Sequence, residues 1–273
     1  MFALNKTINK SIWVLFLSAL LLACGPTPEE IAKEKFEKAN DLFNQEKYND
    51  AKVALDSIIE NFPKEIEFVT RAEDLMRTIK IGEQERNLVF FDSALVKKEE
   101  ELKVLMKNFI VSNDYGKKEV LIHKRQKPQN SYSRTYLRAH LDMEGNFYIS
   151  SRYSGKNYIY HNKIKVYHKD QSVTSEQIPE DGFDNRKFED QGTYWEVVNY
   201  KNNNDNGIID FIAQNTSKPL KVQFIGKKHY YIVMEKFDKE AISDGYEISF
   251  VLKEIARIKK EKSNIKKELS RLK

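Results

Sequence analysis

The chain has 273 residues, of which 32% are charged, and its formal net charge is only +5. This small excess of basic residues argues against a nucleic-acid-binding protein. In addition, no segment concentrates basic residues with interleaved aromatic residues. The single cysteine excludes an intramolecular disulfide, so the folded parts depend on the packing of their cores.

Residues 1–23 have the three parts of an export signal. Lys6 and Lys10 form a basic start without an acidic residue, and residues 12–22 are apolar except for Ser18. Removal of this segment leaves 250 of the 273 residues and a net charge of +3, since two lysines and no acid are lost. This length suits one large domain or two small ones.

The end of the segment carries a lipidation pattern. Leu21, Ala23 and Cys24 have the spacing of the lipobox, and Leu22 departs from it because a small residue is usual there. The segment therefore resembles that of bacterial lipoproteins. The resemblance implies cleavage between Ala23 and Cys24, a diacylglycerol thioether on the Cys24 sulfur and an acyl chain on its new amino group. An uncleaved anchor and an ordinary secretory signal are the alternatives, although the apolar run is short for a membrane span of ~20 residues.

The residues after the cysteine bear on location. Gly25 stands where the inner-membrane retention signal of the family has an aspartate. The resemblance thus implies lipid anchoring in the outer membrane, with the periplasmic face preferred to the cell surface. Residues 24–28 form a tether, which Pro26 and Pro28 stiffen.

Residues 29–82 are predicted to form a helical domain. Apolar residues three and four apart indicate one helix from Glu29 to Gln45 and a second that ends before Pro63. The hairpin resembles one tetratricopeptide repeat, carried by Ala39, Leu42, Tyr48, Ala51, Leu55 and Pro63. A further amphipathic helix follows from residue 66 to 79. Because a lone repeat cannot bury its face, a degenerate array and a plain hairpin both remain open.

Two heptad seams flank the middle of the chain, in residues 83–111 and 240–273. The first consists of Leu88, Phe91, Leu95, Lys98, Leu102, Leu105 and Phe109. The second consists of Ile248, Val251, Ile255, Ile258, Lys262, Ile265, Leu269 and Leu272. Each seam would leave an apolar stripe in water, so we predict that they pair antiparallel as a coiled-coil stalk. A parallel homodimer is the alternative.

Residues 112–239 contain most of the 14 tyrosines and lack helical periodicity. Short β-prone runs predict strands at 120–123, 172–178 and 194–200, and hairpins at 136–151, 158–167 and 220–234. Residues 207–215 are compatible with a strand or a short helix. Such a series of short strands indicates a sandwich or a barrel inserted between the paired helices. The predicted fold class is therefore α+β.

Nothing in the sequence predicts a catalytic, cofactor or metal site. The five histidines lack zinc-site spacing and are interpreted as surface or strand residues. Residues 202–207 resemble the start of a calcium loop, but Ala213 stands where the bidentate glutamate belongs. The acidic residues between 180 and 190 are interpreted as a solvated loop.

These features predict a non-enzymatic lipoprotein of the cell envelope that acts as a protein-interaction or scaffold module. Its expected partners are the membrane, through lipid on Cys24, and another envelope protein. The alternative is a polysaccharide- or peptide-binding lipoprotein, because tyrosines of the β region can offer ring surface with a polar tip.

We expect Cys24→Ala to abolish fatty-acid labelling and to release the protein from membranes, because the acylated sulfur would be lost. Metabolic labelling with palmitate and membrane fractionation measure both effects. Thr27→Ala, three residues beyond the pattern, should leave both unchanged. Labelling that persists in Cys24→Ala would contradict the lipoprotein hypothesis.

Overall fold

A computed structural model describes residues 25–113 and 119–273. The predicted signal segment, Ala23 and Cys24 lie outside the described residues. The fold is α+β, as predicted, with long helices and antiparallel sheets. The chain divides into two compact units: a smaller one that ends at Val89 and includes Ile265–Lys273, and a larger one from Phe90 to Asn264.

The elements follow one another along the chain. The helices are α1 (Pro28–Asn44), α2 (Tyr48–Asn61), α3 (Ile66–Leu105), α4 (Pro128–Ser131), α5 (Ile208–Gln214) and α6 (Lys236–Leu272). The strands are β1 (Phe109–Ser112), β2 (Val120–His123), β3 (Tyr136–Asp142), β4 (Phe147–Gly155), β5 (Lys163–His168), β6 (Gln171–Thr174), β7 (Asn185–Asp190), β8 (Thr193–Tyr200), β9 (Lys221–Ile225) and β10 (His229–Val233). None of the helices in the described ranges is long and apolar enough to cross a membrane.

The smaller unit begins with the predicted helical hairpin of α1 and α2. Thr27 starts α1 with a capping box, in which its backbone N–H donates to Glu30 Oε2 at 2.8 Å. The two helices share one core with the first part of α3, formed by Ala32, Phe36, Ala39, Ala51, Leu55, Ile58, Phe68, Ala72, Met76 and Ile79. The third helix thus covers the apolar face that a hairpin alone would expose.

The residues of the repeat-like pattern lie at this hairpin. Ala39, Ala51 and Leu55 are fully buried, and small alanines allow the two helices to approach closely. Leu42 and Tyr48 pack against the same core. The guanidinium of Arg86 lies 4.8 Å from the centre of the Tyr48 ring. The exposed Pro63 follows the end of α2.

Helix α3 differs from the prediction at both ends. It is one helix of 40 residues, so the expected break before residue 83 is absent. It ends at Leu105, and the chain enters β1 at Phe109 instead of remaining helical to 111. The physical reason is that Phe109 to Ser112 find hydrogen-bonding partners in β2, with Phe109 opposite His123. Strand pairing therefore overrides the helical periodicity there.

The paired helices of the larger unit are antiparallel within one chain. Lys259 Nζ lies 3.2 Å from Glu99 Oε1, and Lys262 forms an ion pair with Asp92. From the first pair to the second, the residue number rises along α6 and falls along α3, which only antiparallel helices allow. Phe109 and Ile248 meet in one buried cluster, as the heptad positions predicted. In the smaller unit, Gln84 Nε2 donates to Glu268 Oε2 at 2.8 Å.

Two antiparallel sheets form a sandwich in the larger unit. One has six strands in the order β1-β2-β3-β4-β8-β7, and the other has four in the order β10-β9-β5-β6. Leu137, Ile149 and Val198 of the first sheet share a buried core with Ile164 and Phe224 of the second. Helix α5 adds its isoleucines to this core, so the ambiguous residues 207–215 are helical.

Three strand predictions are corrected. Residues 158–162 form no strand, so the expected hairpin around His161 is wrong and β5 pairs with β6 and β9. The segment expected at 172–178 is a strand only to Thr174. Residues 185–190, expected in a solvated loop, form edge strand β7, because their backbone pairs with β8 despite the charged side chains.

The pairing of α3 with α6 predicts an intramolecular crosslink. In the Cys24→Ala background, Glu99→Cys together with Lys259→Cys should react with a short bis-maleimide to give monomeric product, because the native side chains touch. Electrophoresis and peptide mass spectrometry detect it. The pair Glu99→Cys and Arg257→Cys is the control, since residues two apart on a helix do not face the same way. Dimeric products alone would contradict the intramolecular pairing.

Candidate functional site

A cationic cavity of about 420 Å3 lies on the face of the six-stranded sheet that is turned away from the sandwich core. Alternation along β3 and β4 directs Leu137 and Ile149 into the core, so that Arg138 and Arg152 lie on the other face. Arg186 of β7 completes a set of three arginines in the lining. We call this space the cationic cavity.

Strand register brings the three arginines together. Arg152 stands opposite Val197, and Val197 stands opposite Arg186 on the next strand. Arg138 lies in the neighbouring row, opposite Ser150. Since strands are ~4.8 Å apart and residues rise ~3.4 Å along a strand, the backbone positions of the three cationic side chains lie within about 16 Å of one another.

Asp142 also lines the cavity, but hydrogen bonds at the β3–β4 turn occupy its carboxylate. Its Oδ1 accepts the backbone N–H groups of Glu144 and Asn146, each at 2.9 Å. Its Oδ2 accepts from the Asn146 side-chain amide at 2.7 Å. Among the described residues that line the cavity, three arginines stand against this one carboxylate, so this part of the lining is positive in balance.

His140 adds no charge to the cavity at neutral pH. Burial holds its pKa well below 6.5, and the positive charges of Arg138, Arg152, Lys201 and Arg186 act in the same direction. The neutral ring stacks on Tyr148 with 4.5 Å between centroids and shares a hydrogen bond of 2.8 Å with Ser150. The arginines therefore supply the positive potential.

Trp195 lies beside Arg152, on the same side of the sheet as the cavity. Its ring stacks on Phe188 at 6.1 Å and lies 5.4 Å from the Tyr132 ring. The Arg152 guanidinium is 5.9 Å from the Trp195 ring centre. Because Trp195 is the one tryptophan beyond the signal segment, its fluorescence should respond to a ligand that moves Arg152.

An asparagine-rich groove of about 710 Å3 adjoins the cavity, and Asn146 and Tyr148 line both. Asn202, Asn203 and Asn206 supply amide groups from the turn before α5. All three have positive φ angles, of 53°, 64° and 52°, a conformation that asparagine tolerates better than most residues. This is the segment that resembled a calcium loop. Within the described residues no cluster of three or more His, Cys, Asp or Glu could hold a metal ion.

A second polar cluster, formed by Ser151, His161, Glu196 and Tyr200, is sealed inside the sandwich. His161 Nδ1 lies 2.5 Å from Glu196 Oε2, and its Nε2 lies 2.7 Å from Ser151 Oγ. This order of hydroxyl, imidazole and carboxylate resembles a catalytic triad. Ser151, His161 and Glu196 all have 0% exposure, so the hydroxyl is not open to a substrate. The interpretation of His161 as a surface or strand residue is wrong.

Glu196 organises this cluster. Its carboxylate accepts the backbone N–H groups of Ile159 and Tyr160 at 2.7 Å and of His161 at 2.8 Å. Burial raises the pKa of Glu196, but hydrogen bonds from the His161 ring and backbone outweigh it and hold the pKa below its ordinary value. Burial lowers the pKa of His161. We therefore assign a carboxylate that accepts the Nδ1–H of a neutral imidazole, whose Nε2 accepts the Ser151 hydroxyl proton.

The repeat-like residues singled out from the sequence lie outside the cavity and the groove. Apart from the exposed Pro63, the repeat-like residues belong to the core of the smaller unit, and none of the set lines the cavity or the groove. The arginines of the cavity were missed. Polar residues alternate with apolar ones along β3, and this pattern indicates a polar face opposite the core. Only the strand order shows that Arg186 lies on the same face.

Comparisons with models of protein families, with curated proteins and with solved structures gave no match to this chain. The function is therefore inferred from the chemistry of the cavity and the groove. Both lie within the larger unit.

We expect Glu196→Gln to destabilise the larger unit by about 3–5 kcal/mol, the usual cost of breaking a buried charged network. The amide can accept some of the backbone N–H groups but opposes the Nδ1–H of His161 with a donor. Denaturant unfolding followed by Trp195 fluorescence measures the change.

Glu189→Gln is the matched control. Glu189 is exposed on the neighbouring strand, so its change should stay within about 0.5 kcal/mol. Equal, small effects of the two substitutions would show that the buried carboxylate is not needed for stability.

Proposed function

We propose that the protein is a lipoprotein anchored in the outer membrane through Cys24 and that its β domain binds an anionic ligand without converting it. The lipobox pattern supports the anchor. The observation that carries the binding role is the convergence of Arg138, Arg152 and Arg186 on one cavity.

Arginine suits this task for two reasons. Its guanidinium keeps its charge at any physiological pH, and its planar set of donors matches a carboxylate, sulfate or phosphate group with two parallel hydrogen bonds. The cavity volume of about 420 Å3 is within the range of about 300–1,000 Å3 that is typical of small-ligand sites. The positive potential would also attract a free anion toward the cavity before contact.

Binding fits the cavity better than catalysis does. A nucleophile, a base and a stabilising group would have to face one reacting atom. Ser150 is fully buried, and its hydrogen bond occupies one nitrogen of His140. The Asp142 carboxylate is held by the turn. These groups are engaged within the fold and do not converge on one reacting atom.

A scaffold role is the second candidate, and a different observation favours it. On the paired helices of the larger unit, Val96, Val104 and Phe250 are 55%, 59% and 61% exposed. A contiguous apolar patch marks a protein-interaction surface, and these three side chains are the candidates for such a patch. The two roles are compatible, since they use different surfaces.

We expect Trp195 fluorescence of the detergent-solubilised protein to change on titration with anions such as citrate, phosphate or polygalacturonate, and not with neutral dextran. Arg186→Gln should weaken anion binding about tenfold, because a charge-assisted hydrogen bond contributes roughly 1.4 kcal/mol or more. Binding should also weaken as salt rises.

Arg257→Gln removes an exposed arginine of α6 that does not line the cavity, and it should leave anion affinity unchanged. Equal loss in both variants would indicate nonspecific attraction. No response to any anion, together with recovery of a stoichiometric protein partner from solubilised envelopes, would contradict ligand binding and favour the scaffold.

A further inference from the structure

We infer that the anionic ligand is an acidic polysaccharide, which lies along one path from the cationic cavity across Tyr148 into the asparagine-rich groove. This inference rests on the proposed function and names the chemical class of its ligand. The path is continuous because Asn146 and Tyr148 line both concavities. Cavity and groove, at about 420 and 710 Å3, are each large enough for a small ligand, so together they can hold more than one sugar ring.

The groove presents amides, which suit sugar hydroxyl groups. Asn202, Asn203 and Asn206 lie on one turn. A side-chain amide offers both donors and an acceptor, and a hydroxyl group likewise donates and accepts. The turn is rigid, because the backbone N–H of Asn204 donates to Lys201 and that of Asn206 donates to Asn203, at 3.0 and 2.9 Å.

The charges of the groove balance one another. Lys201 and Lys253 line it together with Asp205 and Asp210. A ligand that carried negative charge at high density along its whole length would gain nothing from this balance. The groove thus suits the hydroxyl-rich part of a chain whose acidic group lies among the arginines.

An exposed aromatic ring completes the groove. Tyr246 is 41% exposed and packs 6.2 Å from Phe147. Its hydroxyl donates to Asp210, which fixes the ring against the groove. Aromatic rings offer flat apolar area at low entropic cost, and the C–H face of a sugar ring matches such a surface.

Other ligand classes fit the two concavities less well. A small inorganic anion would contact the arginines and leave the groove without a role. A nucleic acid requires neutralisation of successive phosphates along its backbone, which the balanced groove does not provide. A peptide bound as an added strand would need an open sheet edge, whereas turn residues and side chains of α6 line the groove.

The test uses the full-length protein in detergent and two matched pairs of probes. These are hyaluronate oligosaccharides, in which acidic and neutral sugars alternate, with their neutral methyl ester, and sparsely substituted carboxymethyl dextran with dextran. Isothermal titration should show that the acidic member of at least one pair binds ten times more tightly than its neutral partner. Inorganic sulfate and glucuronate monomer serve as short anions and should bind at least ten times more weakly than the acidic chain.

Two variants separate the cavity from the groove. Arg186→Gln should weaken binding of both the acidic chain and the short anions, whereas Asn203→Gly should weaken only the chain, by about fivefold. Glycine keeps the positive φ of residue 203, so the turn should persist. Gln191→Gly is the matched control, since Gln191 also has a positive φ, of 50°, but lies outside the groove lining.

The outcomes distinguish the inference from the proposed function. Chain binding that depends on both Arg186 and Asn203 supports the inference. If short anions bind as tightly as the chain, or if Asn203→Gly has no effect, the polysaccharide inference is overturned and the proposed anion-binding function is retained. If no anion binds and melting shows a folded protein, both are overturned.

Discussion

The larger unit depends on one buried carboxylate, that of Glu196. It holds the backbone N–H groups of Ile159 to His161, the segment that carries the chain from β4 in one sheet to β5 in the other. Close backbone contact completes the crossing, because a Cβ atom at Gly226 would lie 2.4 Å from the carbonyl carbon of Tyr160. A buried charge is tolerated here because hydrogen bonds replace its lost hydration.

This crossing leaves one face of the six-stranded sheet free for charges. The sandwich core occupies the inner face, so the residues at alternate positions of β3 and β4 lie on the other face and do not pack in that core. Three arginines lie on this other face. His140 beside them is neutral, so the positive charge of the cavity comes from the arginines. The fold therefore places the sandwich core and the proposed binding cavity on opposite faces of one sheet.

Helix α6 holds the turn that lies between the two concavities of the proposed site. Ser249 Oγ donates to the Gly145 carbonyl at 2.6 Å, and Gly145 has a φ of 81°, which other residues rarely adopt. This contact holds the β3–β4 turn against the helix, and the turn in turn positions Asn146 and Tyr148 between cavity and groove. The same helix that closes the coiled coil thus supports the turn beside the proposed ligand path.

Patterns local to the sequence determined much of this protein. Heptad spacing identified the partly buried stripe of α3 and the buried stripe of α6, and turn residues identified the hairpins β3–β4 and β9–β10, because both signals arise from neighbouring residues. Tertiary structure alone decided that Phe109 leaves the helix for β1, and that Glu196 meets His161. It also decided that Arg186 joins Arg138 and Arg152, since strand order depends on pairing between distant segments, which local periodicity does not encode.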